Sequence, residues 1–125
     1  MALKYKAVAH KLSQQPERFY ARACNRQKVT LDDLAALISR NSSASRADVV
    51  MVLTSLTDLV PSLLLQNNSV QLGELGTLSL HLNSKGEVSE EAVTWRSVNR
   101  VRVRLRAGLM FKKKLDKISL KRVKK

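Results

Sequence analysis

Arg100-Val101-Arg102-Val103-Arg104-Leu105-Arg106 alternates strictly in twos, a period that belongs to a β-strand rather than a helix. Successive side chains of an extended strand point to opposite faces, so four guanidinium groups share one side and Val101, Val103 and Leu105 the other. The apolar side is expected to pack. The arginine side is expected to meet a ligand, because the planar guanidinium donates parallel hydrogen bonds to phosphate and stays charged near neutral pH. A polyanion is the ligand these residues imply.

Upstream, Leu78, Leu80 and Leu82 alternate with Thr77, Ser79 and His81, and Val70 and Leu72 precede the turn Gly73-Glu74-Leu75-Gly76. Together with Val93 to Leu105 these stretches predict a three-stranded sheet whose last two strands form an extended β-arm. The arm tip falls in the polar residues 83–92, with Ser84-Lys85-Gly86-Glu87 as its turn.

Two helices are expected before the sheet. Thr30-Leu31-Asp32-Asp33 carries a capping threonine with an acid three residues on, opening a helix that runs to about Arg40 with the apolar stripe Leu34, Leu37 and Ile38. Asn41-Ser42-Ser43 ends it. Ser45-Arg46-Ala47-Asp48 repeats the signal and opens a longer helix to Leu65 or Gln66. Its apolar positions Val49, Val52, Leu53, Leu56, Leu59, Val60, Leu63 and Leu64 keep helical spacing and cover a wide face, which suggests burial on more than one side, a subunit interface included. A wholly intramolecular core helix is the alternative. Pro61 is expected to kink the helix or end it early.

The ends of the chain read differently. Residues 3–11 and 18–24 predict a β-hairpin around Ser13-Gln14-Gln15-Pro16-Glu17. Leu109, Phe111 and Leu115 predict a short helix over Gly108 to Lys117 beside Lys112-Lys113-Lys114, and Ile118-Ser119-Leu120 a closing strand. The expected organisation is α+β: an N-terminal extension over 1–28, a main domain over 29–117 and a basic tail over 118–125.

Charge follows the same divisions. Residues 1–28 hold seven Lys or Arg against Glu17, residues 29–95 three against eight acids, and residues 96–125 thirteen against Asp116, for a net +13 over 125 residues. Two basic ends around a mildly acidic middle read as a binding surface, because a surface built only for solubility mixes its signs. For Lys121 to Lys125 alone a solvated tail is an equal reading.

Other chemistry finds little support. His10, His81 and Cys24 have no metal-site spacing, Asp32 and Asp33 sit where they cap a helix, and no glycine-rich phosphate loop or nucleophile elbow is present. No enzyme activity, metal or cofactor is expected. The apolar cluster Leu59 to Leu65 is short of the ~20 residues that span a bilayer, and Met1-Ala2-Leu3-Lys4-Tyr5-Lys6 resembles no export signal. A cytoplasmic protein without a membrane partner is expected, and a single cysteine fits a reducing compartment.

The capped first helix, the Ser45-Arg46-Ala47-Asp48 opening of the second, Val70-Gln71-Leu72, the Glu74-Leu75-Gly76 turn and Leu105-Arg106-Ala107-Gly108 before the last helix resemble the HU/IHF family of bacterial histone-like DNA-binding proteins. The resemblance covers residues 29–115. With the added hairpin and tail, the chain is similar to the longer HU-like variants of Bacteroides-type bacteria. It implies an intertwined dimer, pairing with a second copy or with a related subunit, that binds and bends double-stranded DNA in the nucleoid. The family's arm tip carries an intercalating proline, whereas residues 83–92 here contain none and carry Glu87, Glu90 and Glu91. Val93 or Trp95 would be the substitute wedge.

Placed on that frame, the DNA-contacting residues are Arg46 at the second helix start, Lys85 near the tip, Arg96, Arg100, Arg102, Arg104 and Arg106 along the strand, and Lys112, Lys113 and Lys114 on the last helix. Val49, Leu53, Leu56, Val60 and Leu75 are the expected dimer contacts. The rival reading is an RNA-binding protein of ribosomal type. Only five aromatic residues, none among the arginines, disfavour it, since stacking platforms need them.

Overall fold

The computed structural model describes residues 2–124. Strands β1 (Ala2–His10) and β2 (Arg18–Ala23) form the N-terminal hairpin, followed by helices α1 (Leu31–Arg40) and α2 (Arg46–Leu65). Then come β3 (Val70–Gln71), a 3-10 turn (Gly73–Leu75), β4 (Gly76–Ser84), a second 3-10 turn (Trp95–Ser97), β5 (Val98–Ala107), α3 (Leu109–Leu115) and β6 (Ser119–Arg122). Two three-stranded sheets result, ordered β2-β1-β6 and β3-β4-β5. The first joins the two chain ends, because β6 runs parallel to β1 on the side opposite β2. The segments expected as an extension and a tail thus share one sheet.

The helix starts follow from their caps. The Thr30 hydroxyl accepts the Asp33 backbone N–H at 3.2 Å while the Asp33 carboxylate accepts the Thr30 N–H at 3.0 Å. The backbone N–H and then the hydroxyl of Thr30 hold the Asp33 carboxyl below its ordinary value. A lowered folded-state value means that this stabilisation is present above the ordinary carboxylate range and is lost as pH falls through the lowered one. Ser45 caps α2 through the Asp48 N–H at 3.1 Å.

Helix α2 continues through Pro61 to Leu65, so the early end expected from that residue does not occur. Pro61 has no N–H to donate to the Thr57 carbonyl, so the helix runs through it with that bond missing. At 20 residues, with an 18-residue stretch of mean hydropathy 1.7, α2 is long and apolar enough to cross a membrane by length and composition, which the cluster Leu59 to Leu65 alone, interrupted by Pro61 and Ser62, is not. Here it packs against α1 and over β3 and β4.

The core of the single chain is small. Ala35, Val49, Val60 and Leu64 are its buried apolar residues. Val101, Val103 and Leu105 stay about half exposed, contrary to the expectation that this face of the strand packs, because α2 covers the β3–β4 side of the sheet and β5 is an edge strand. Leu34, Leu37 and Ile38 of α1 and Val52, Leu56, Leu59 and Leu63 of α2 are likewise exposed.

Two glycines seat the second sheet. Gly76 stands opposite Ala107 with φ of 144°, and a Cβ there would collide with the Arg106 carbonyl. Gly108 donates its N–H to the Leu75 carbonyl at 3.2 Å, and a Cβ there would collide with the Glu74 carbonyl. Gly73 also has positive φ, 55°, but faces open space. Gly73→Ala should therefore cost about 1 kcal/mol from backbone conformation alone. Gly76→Ala adds a backbone collision and should cost at least about 3 kcal/mol; urea unfolding of the two variants side by side checks the order.

Candidate nucleic-acid interface

The register of β4 against β5 builds the site. Thr77 faces Arg106, Ser79 faces Arg104, His81 faces Arg102 and Asn83 faces Arg100, while Leu78, Leu80 and Leu82 face Leu105, Val103 and Val101. Directly opposed residues of an antiparallel pair lie on the same face. One face of the hairpin is therefore a row of arginines beside a row of small hydrogen-bonding side chains, and it contains no acid. All four arginines are exposed, and among the described residues none forms an ion pair. The Ser79 hydroxyl and His81 Nε2 lie 2.9 Å apart. Ser69, Thr77, Ser79, His81, Arg104 and Arg106 help line a shallow groove of ≈ 540 Å³ on this surface. Such a surface can bind phosphate oxygens through guanidinium forks and hydroxyls, and among the described residues no group of three or more His, Cys, Asp and Glu has metal-binding proximity.

A family model described as "HU domain fused to wHTH, Ig, or Glycine-rich motif" matches residues 1–122. The chain belongs to this HU-HIG family. The match spans both sheets of the HU-HIG chain. Among solved structures it is similar to "a Putative bacterial DNA binding protein from Bacteroides vulgatus ATCC 8482", at 13% identity and a TM-score of 0.63, over 98% of this chain and 48% of the other. The HU-HIG chain thus spans about half the length of that protein, and at this identity the likeness is one of fold. No curated protein matches.

The remaining candidates separate into groups. Arg46 lies 3.8 Å from Asp32, an exposed pair of little energetic weight that leaves the guanidinium available. Lys112, Lys113 and Lys114 occupy the last turn of α3, where they also favour the helix dipole. Val49 and Val60 are closed off by their own chain, whereas Leu53, Leu56 and Leu75 keep accessible surface.

The far end of the hairpin differs most from the sequence reading. Val93 to Ser97 is not strand: β5 begins at Val98, and the preceding residues form a 3-10 turn capped by Thr94. Arg96 lies in that turn, its Cζ 5.2 Å from the centre of the Trp95 ring, and Trp95 is 78% exposed. Lys85 sits 3.7 Å from Glu87. Glu87 in turn accepts the Ser97 hydroxyl at 2.9 Å, so this acid ties the loop down rather than standing free at the tip.

Ser97 is the hub of the loop. It is 1% exposed, its hydroxyl accepts the Thr94 N–H at 3.1 Å, and its carbonyl accepts the Lys85 N–H at 2.9 Å and the Ser84 hydroxyl at 3.2 Å. The sequence signal for it is Thr94 followed three residues later by Ser97, the spacing that marks the α1 cap. Ser97→Ala leaves the Thr94 N–H and the Glu87 carboxylate without their partner, at a cost of about 1–3 kcal/mol. Hydrogen exchange should then accelerate in residues 85–96 and stay slow across β4 and β5.

Proposed function

We propose that this chain is an architectural, histone-like DNA-binding domain that grips duplex DNA as a dimer through backbone phosphates, with little sequence preference, and bends it in the bacterial nucleoid. The observation that carries this reading is the acid-free face of β4 and β5, with Arg100, Arg102, Arg104 and Arg106 opposite Asn83, His81, Ser79 and Thr77. Contacts to phosphate orient a protein on the duplex without reading bases, which is why little sequence preference follows. The printed name of the Bacteroides vulgatus protein, a DNA-binding protein, agrees with it.

Surface area supports the dimer. The described chain exposes 11138 Å², against about 6,700 Å² expected for a compact monomer of this mass. Extended sheets account for part of the excess. Exposed aliphatic side chains contribute to it: Leu34, Leu37 and Ile38 on α1, Val52, Leu59 and Leu63 on α2, and Val101, Val103 and Leu105 under the arginine row. Water-exposed aliphatic surface on this scale marks an obligate interface. Covering by a second copy also accounts for the apolar circumference of α2 without a bilayer. Bending is supported by the far end of the hairpin, where Trp95 and the fully exposed Val88 are not used in the core and are free to wedge between base steps.

Arg102→Ala with Arg104→Ala should weaken binding equally on unrelated duplex sequences and lower the salt slope, d log K/d log[salt], by about two units per protomer, about four for a dimer with both arms engaged. A folded double variant with the parent's affinity and slope would refute the assignment. Intact and nicked duplexes of one sequence, compared in the same titration, test bending: tighter binding to the nicked duplex is expected, because a flexible joint removes the deformation cost. Light scattering at micromolar concentration should give twice the 14.0 kDa chain mass, and a monomer mass would exclude the dimer.

A further inference from the structure

The sheet formed by the two chain ends has a charge pattern that the arginine row does not explain. Alternation and register place Lys4, Lys6, Arg18, Arg22 and Lys121 on one face, and Leu3, Tyr5, Phe19, Ala21, Ala23 and Leu120 on the other, where Arg122 opposite Tyr5 is the one cation of the three strands. Lys6 stands directly opposite Arg22 and Lys4 directly beside Lys121. Like charges directly across a sheet are destabilising. The strands β1, β2 and β6 contain no acid to offset them, and none of the five cations forms an ion pair among the described residues. All five are exposed. A face that concentrates repulsion in this way is built for a polyanion.

Chain connectivity says which one. β5 leads through Gly108 into α3 with Lys112 to Lys114, and α3 leads through a short turn into β6, so from Arg100 to Lys124 the single acid is Asp116. The turn is held by the Lys117 N–H on the Lys114 carbonyl at 3.3 Å and the Ile118 N–H on the Leu115 carbonyl at 3.2 Å. Cationic segments therefore follow one another along the chain from the arginine strand into the terminal sheet through short, hydrogen-bonded connections. A single-stranded nucleic acid would call for flat stacking surfaces. Here Tyr20 is the aromatic ring beside the cations, and it meets His10 edge-on, with ring centres 6.2 Å apart at 70°.

We infer that the cationic face of the β2-β1-β6 sheet is a second DNA-binding surface, which holds the phosphates of the same duplex beyond the segment gripped by the arginine row. This rests on the reading of β5 as a duplex-binding strand. It lengthens the footprint and raises the salt dependence beyond what the arginine row supplies.

The test uses the full chain, carrying Lys4→Gln, Lys6→Gln, Arg18→Gln and Arg22→Gln together, against the Arg102→Gln, Arg104→Gln variant. Affinity is read by fluorescence anisotropy across a salt series on a short duplex of about one helical turn and on a long one of about three turns. On the long duplex the quadruple variant should bind at least about 100-fold more weakly at low salt, with a slope lower by about three to four units for each protomer whose terminal sheet is engaged. On the short duplex it should stay within about twofold of the parent, while the arginine-row variant weakens on both. Lys4→Arg with Lys6→Arg keeps the charge and should bind the long duplex like the parent. Removing repelling charges should leave the quadruple variant folded, with unchanged circular dichroism and a Tm at or above the parent's. Parental affinity and slope on the long duplex, with the arginine-row variant impaired, would overturn the second surface and leave the first reading standing. If neither variant differs from the parent, the first reading fails with it. Weakened binding of the quadruple variant to an RNA stem but not to DNA would assign the surface to another partner and overturn the inference.

Discussion

The close approach of the Gly76 and Gly108 backbones to their neighbours is the constraint on which the second sheet depends. Gly76 lies against the Arg106 carbonyl and Gly108 against that of Glu74, so the end of β5 and the start of α3 are both keyed to the 3-10 turn Gly73–Leu75. That key sets the register of β5 on β4 from one end. Register decides function here, because a slip of one residue would carry every arginine to the apolar face and every valine to the opposite side. Position 76 tolerates no side chain for conformational and steric reasons at once, and the chemistry of the surface begins there.

What the single chain lacks is equally informative. Among the described residues four buried apolar side chains make a small core, and much of α1, α2 and the underside of β5 remains exposed. If the proposed second copy covers this aliphatic surface, stability and association are one quantity. α2 shows the logic most clearly. Its stripe is too wide for one neighbour, and within the protomer only Val49, Val60 and Leu64 of that stripe are closed off. Residues that a pattern assigns to an interface can belong to the protomer core, as Val49 and Val60 do, because periodicity reports which positions are apolar and not which neighbour covers them.

The parts of the fold legible in the sequence are those determined within a few residues. Thr30 with Asp33 and Ser45 with Asp48 mark both helix starts, and the alternation through Arg106 marks the strand and the face that carries its charge. Long-range pairing was less accessible. Nothing local in Ser119 to Arg122 says that it will run parallel to β1, and Val93 to Ser97 has apolar spacing that suits a strand until Ser97 collects the bonds of a closed loop. Glu87 illustrates the same limit. As one of three acids near the tip it counts against a polyanion, yet its carboxylate is spent on Ser97 and Lys85. Pro61 was legible as a lost hydrogen bond but not as a tolerated one, because tolerance depends on the packing of the helix around it.

Electrostatics links these observations into one thermodynamic argument. The acids are gathered on α1, α2 and the loops, whereas four of the cations face one another in two pairs across the terminal sheet, Arg18 shares their face, and four more line β5. Such segregation raises the free energy of the unliganded fold by an amount that salt screening only partly relieves. A bound polyanion removes that repulsion and adds charge-assisted hydrogen bonds, so the free energy withheld from the empty protein is returned on binding. Linkage then requires that whatever phosphate array fits both sheets also stabilises the fold that presents them. The small protomer core, the keyed register and the unpaired cations thus all favour the proposed assembly, in which two copies pack through their aliphatic faces and duplex phosphates lie along the cationic ones.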